Sequence, residues 1–86
     1  MKKITMFILD TCPYCVQALH WMDELFAMNP SYKALDIEII NERINPEASN
    51  KYNYDYVPAF FIGDEKLHNG VASRDIIRRV FDTAII

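Results

Sequence analysis

Lys3-Ile4-Thr5-Met6-Phe7-Ile8-Leu9, followed by Asp10-Thr11-Cys12-Pro13-Tyr14-Cys15, joins a nearly continuous apolar run to two cysteines separated by two residues. The run is β-rich and lacks the alternation of a half-exposed strand, so it predicts a strand covered on both faces and therefore central in its sheet. From Pro13 to about Met28 the period changes. Cys15, Ala18, Leu19, Met22, Leu25 and Phe26 fall on one helical face, with Gln17, His20 and Glu24 opposite. Pro13 suits the first helical position, where its missing N–H removes no hydrogen bond. The stretch thus reads strand, loop, helix, with Cys12 at the end of the loop.

That placement gives the cysteines their chemistry. A sulfur at a helix start faces unpaired backbone N–H groups and the positive end of the helix dipole, which favour a thiolate. Cys15, one turn further in, is within reach of a mixed disulfide formed on Cys12. The expected roles are a nucleophilic Cys12 and a resolving Cys15. Pro13 stiffens the loop between them and Tyr14 sets an aromatic hydroxyl beside the exposed sulfur. A structural disulfide is the plainest alternative, but a loop of roughly four residues restricts the unfolded chain by only about 2 kcal/mol. A zinc site needs two more ligands, whereas His20 and His68 are scattered and there is no second cysteine pair. No metal site is expected within one chain.

Outward from this stretch, short punctuations at Asn29-Pro30-Ser31, Asn45-Pro46, Val57-Pro58, Gly63-Asp64 and Asn69-Gly70 divide the rest. Lys33–Ile40 reads as a second strand, parallel to the first because a helical crossover precedes it. Residues 46 to about 52 suggest a short helix. Ala59–Ile62 and Glu65–Asn69 flank Gly63-Asp64 as an antiparallel hairpin. Ser73 offers an N-cap and Asp75 an early acidic residue for a last helix to about Thr83, with Ile76, Ile77, Val80 and Ala84 as its apolar stripe. The order is βαβαββα, an α/β fold with a mixed four-stranded sheet and helices on both faces.

Eighty-six residues suffice for one domain, residues 1–86, and not for two. With 51% hydrophobic, 24% charged and 13% aromatic residues, the composition is that of a folded globular chain. A formal charge of −3 argues against nucleic acid as a main partner, and Arg74, Arg78 and Arg79 read as the solvated face of the last helix. No run approaches the roughly 20 apolar residues of a membrane span, and the apolar run after Met1-Lys2-Lys3 is too short for an export signal. The expected compartment is the cytoplasm, where a close cysteine pair is more often catalytic or metal-binding than structural.

Taken together, Cys12-Pro13-Tyr14-Cys15 after the first strand, Val57-Pro58 before a hairpin, and Gly70 shortly before the last helix resemble the glutaredoxin family of the thioredoxin superfamily over nearly the whole chain. The resemblance implies a thioredoxin-like fold and a cis peptide at Val57-Pro58, with Pro58 packed against the sulfurs. It also implies a substrate surface made by Tyr14, Tyr56, Val57, Gly70 and Val71. Proline cannot donate a backbone hydrogen bond, and the Val57 backbone before it is offered to an extended peptide or glutathione as an added strand.

The departures bear on the electron donor. Relatives that use glutathione commonly carry Lys or Arg at the position of Leu9, Thr at that of Tyr56, and a second Gly at that of Val71; Lys51 or Arg43 are candidates for the lost charge. The buried Asp of thioredoxins falls at Met6. The resemblance therefore implies a monomeric enzyme without a bound cofactor that reduces protein or small disulfides, with electrons from glutathione as co-substrate or from a thioredoxin-type reductase. The other reading is a non-catalytic module holding a metal, an iron–sulfur cluster or a peptide in the same groove. Tyr52, Tyr54 and Tyr56 alternate and would share one side of an extended segment.

Overall fold

The computed structural model describes all 86 residues. Strand β1 (Ile4–Ile8) leads into helix α1 (Pro13–Met28), and a 3₁₀ turn at Pro30–Ala34 returns the chain to β2 (Ile37–Asn41). A single helical turn, α2 (Pro46–Ser49), and an irregular tyrosine-bearing segment precede the hairpin β3 (Ala59–Ile62) and β4 (Glu65–Asn69), and α3 (Arg74–Ile85) closes the chain. The sheet order is β2-β1-β3-β4; β2 runs parallel to β1, while β3 is antiparallel to both β1 and β4. This is the thioredoxin-like α/β architecture expected from the sequence, with β1 in the middle.

Alternation along β1 and β3 builds a core on each face. Ile4, Met6 and Phe60 meet Ala18, Met22 and Leu25 of α1 and Ile77, Val80 and Phe81 of α3. On the opposite face Phe7, Ala59 and Phe61 are covered by Tyr52, Tyr54, Val57 and Ala48. Phe7 sits at the hub of this second core, its ring 4.8 Å from Tyr52, 4.9 Å from Tyr54 and 5.8 Å from Phe61. Burying each such ring is worth a few kcal/mol, so the tyrosine segment is fixed to the sheet despite having no regular structure.

Three boundaries depart from the sequence reading. The expected strand over Lys33–Ile40 begins only at Ile37, because Asn29 accepts from the Ser31 N–H at 3.2 Å and Pro30 fixes the first turn of a 3₁₀ segment. Tyr32 in that segment is buried and its hydroxyl donates to Asp82 at 2.5 Å, an attachment to α3 that local propensity does not encode. The helix from Pro46 stops at Ser49, since Tyr52 is drawn onto Phe7 and Phe61. The last helix continues past Thr83 to Ile85, where Ala84 is fully buried. Its start is as expected, with the Ser73 hydroxyl accepting the Ile76 N–H at 3.1 Å.

Candidate active site

Cys12 is the N-cap of α1 in an extended conformation, and Pro13 takes the first helical position. The Cys12 N–H donates to Leu9 O at 3.2 Å, and its carbonyl accepts from Cys15 N at 3.1 Å and Val16 N at 3.2 Å. The turn after β1 is therefore closed on both sides of the sulfur. No side chain caps the helix, so its first N–H groups are left facing the Cys12 end. Cys12 is half-buried, whereas Cys15 is only 1% exposed; both are free thiols.

The two thiols differ in environment as well as access. Burial is the main force pushing the Cys15 thiol up to about 12 from an ordinary 9.0, and the neighbouring Cys12 adds to it. At neutral pH Cys15 is thus held as a protonated sulfur beneath an accessible one.

Across the gap, the Val57-Pro58 peptide is cis and Pro58 is buried. The Cys12 thiol is directed at the Val57 carbonyl, Sγ to O 4.0 Å, a long sulfur contact that nevertheless defines where the thiol points. No backbone hydrogen bond engages Val57, so apart from the long Cys12 contact on its carbonyl its N–H and C=O are unpaired and available to a partner strand. Gly70 fastens this segment from behind: its N–H donates to Pro58 O at 3.0 Å, and its φ of +96° is one that side-chain-bearing residues rarely adopt.

The candidate residues therefore separate into groups. Cys12, Cys15, Val57 and Pro58 meet at one point. Tyr14, Tyr56 and Val71 are 50%, 68% and 56% exposed around it and present apolar surface to solvent. Gly70 acts through the backbone. Tyr56 does not share the fate of Tyr52 and Tyr54, which the second core absorbs. His68, whose Nε2 lies 2.9 Å from Val71 O, braces the loop before α3.

A cleft of about 530 Å³ opens beside Val57, lined among others by Leu9, Glu42, Tyr54, Asp55 and Tyr56. Glu42 and Asp55 are not among the residues that the sequence motifs single out. The available signal was topological. Parallel β1 and β2 bring their carboxyl ends together, where open α/β sheets bind ligands, and the Glu42 N–H donates to Ile8 O at 3.0 Å. Tyr54 donates its hydroxyl to the Glu42 carboxylate; burial and this contact both hold the phenol well above its ordinary range. Of the two cations considered as replacements at Leu9, Arg43 is paired with Asp10 and Lys51 is exposed outside the lining. No three His, Cys, Asp or Glu side chains converge as metal ligands do, and no helix is long and apolar enough to cross a membrane.

Fold and paired cysteines together define a thioredoxin-like domain of the thiol–disulfide oxidoreductase type. The family model for glutaredoxin matches residues 4–67, and the chain belongs to the glutaredoxin family. Among solved structures, the oxidised thioredoxin from Plasmodium falciparum is similar with a TM-score of 0.71 at 14% identity, over 94% of this chain and 78% of that one. The thioredoxin from Fasciola hepatica gives 0.70 at 16% identity, over 95% and 79%. An uncharacterised thioredoxin-like protein from Clostridium perfringens gives 0.68 at 24% identity, over 98% and 71%. At such identities the likeness is one of fold. No curated protein matches the chain.

Proposed function

We propose that the protein is a dithiol oxidoreductase that reduces disulfides in proteins or small molecules. The observation that carries this reading is the pairing of an accessible Cys12 at a helix N-terminus, aimed at Val57 O, with a buried Cys15 one turn inward. Cys12 as thiolate attacks one sulfur of the substrate, forming a mixed disulfide and releasing the first substrate thiolate. Cys15 then attacks the Cys12 sulfur, its proton passing to the departing second thiolate. The substrate gains two electrons and the protein is left with a Cys12–Cys15 disulfide.

During attack the substrate strand lies along the open Val57 backbone, with Tyr14, Tyr56 and Val71 as the surrounding contact surface. Two electrons from glutathione or from a thioredoxin-type reductase restore the dithiol, and no resident cofactor takes part. The cytoplasm supplies both donors, and one chain is the working unit. Turnover of a disulfide substrate driven in parallel by glutathione with its reductase and by thioredoxin reductase tests the reading. Cys12→Ser abolishes turnover in whichever system works; full rate in that variant overturns it.

A further inference from the structure

We infer that the cleft beside Val57 selects disulfides whose cysteine is flanked by lysine or arginine on an extended protein segment. This rests on the dithiol reading above and adds the substrate class. The cleft borders the backbone edge on which a substrate strand would pair, so residues on either side of a bound cysteine enter it. Its lining holds two carboxylates, Glu42 and Asp55, and no Lys or Arg. Asp55 donates its backbone N–H to Asn69 Oδ1 at 3.2 Å, but its carboxylate has no hydrogen-bond or ion-pair partner in the protein. Glu42 accepts from the Tyr54 hydroxyl and is paired with no cation.

Neither cation close to the lining in sequence is paired with them: Lys51 is exposed outside the lining, and Arg43 is engaged elsewhere. Arg43, next to Glu42, is turned onto Asp10. The cleft is therefore a negatively charged recess with tyrosine walls, the environment that attracts an ammonium or guanidinium through both charge and ring faces. A carboxylate-bearing partner meets like charge in the same place.

The test uses the full chain, reduced beforehand, with symmetrical disulfide dimers of five-residue peptides in which Cys is flanked on both sides by Lys, Ala or Glu. Single-turnover thiol release is measured for each and divided by the rate at which dithiothreitol reduces the same peptide, which removes the peptides' own reactivity. The expected result is a Lys-over-Glu preference of about fivefold to twentyfold at low salt, shrinking as salt is added. Asp55→Asn lowers that ratio severalfold and Asp55→Lys reverses it; because a ratio is read, a general loss of rate cancels. Circular dichroism confirms that each variant is folded. Equal normalised rates for the three peptides, or a ratio indifferent to Asp55, overturn the inference while leaving the dithiol reading intact. Failure to reduce any peptide overturns both.

Discussion

Arg43 closes onto Asp10, its Nε 3.0 Å from Oδ1 with a second contact between Nη2 and Oδ2, two residues ahead of the nucleophilic position. The guanidinium holds the Asp10 carboxyl below its ordinary range, and Asp10 in turn raises Arg43. A cation that could have stood in for the missing basic residue at Leu9 is thereby committed elsewhere.

Releasing it should change the response to glutathione. Asp10→Asn removes the competing charge without changing the side chain's shape, and the KM for glutathione disulfide is expected to fall about twofold to fivefold at low ionic strength. Steady-state kinetics at two salt concentrations check this. An unchanged KM would show that Arg43 does not reach the substrate when freed.

The unequal thiols predict an ordered modification. Iodoacetamide at pH 7 should alkylate Cys12 and leave Cys15 untouched in the folded protein, because Cys15 is 1% exposed and pushed up to about 12. Mass spectrometry of tryptic peptides distinguishes the two. Replacing Cys15 with Ser should leave the mixed disulfide on Cys12 as a stable adduct, visible as a mass increase equal to the substrate half.

Stability should decline on the alkaline side. Cys15, Tyr54 and Tyr32 are all raised in the folded state, the first two mainly by burial and Tyr32 mainly by its bond to Asp82. Each keeps its proton longer folded than unfolded, so its contribution is complete below the unfolded value and is lost as pH climbs toward the folded one. For Cys15 that window runs from 9.0 to about 12, with a slope of at most about 1.4 kcal/mol per pH unit. Urea unfolding of reduced protein at pH 7, 9 and 10 measures the decline, and Cys15→Ala should flatten it.

Tyr54→Phe should destabilise the fold by about 1–3 kcal/mol, since the stacked ring remains on Phe7 while the half-buried Glu42 loses its donor. Chemical denaturation reads the loss. No change in midpoint would mean that Glu42 finds water in place of the hydroxyl.

Gly70→Ala should cost about 1–3 kcal/mol, and the reason is backbone conformation. An added Cβ would stand 3.7 Å from Tyr56 Cβ, an ordinary contact, but φ is +96°. Because the Gly70 N–H also holds Pro58 O, a fall in melting temperature should come with a fall in kcat.

The sequence by itself determined the element order, the central strand, the helix start at Pro13, the Ser73 cap and the cysteine pair. These are local matters: an apolar run, a period of 3.6, a proline and a capping hydroxyl each act within a few residues. The strand expected at Lys33 and the longer helix after Pro46 were overruled by distant partners, Asp82 for Tyr32 and Phe7 for Tyr52. Only the tertiary structure decided that Tyr56 stays outside while Tyr52 and Tyr54 become core, because the three share one alternation and differ solely in what the sheet places beneath them. It alone brought Glu42 and Asp55 into one cleft and turned Arg43 onto Asp10. Those residues lie 13 and 33 positions apart in sequence, and their meeting depends on β1 and β2 ending side by side, a consequence of packing that no local pattern records.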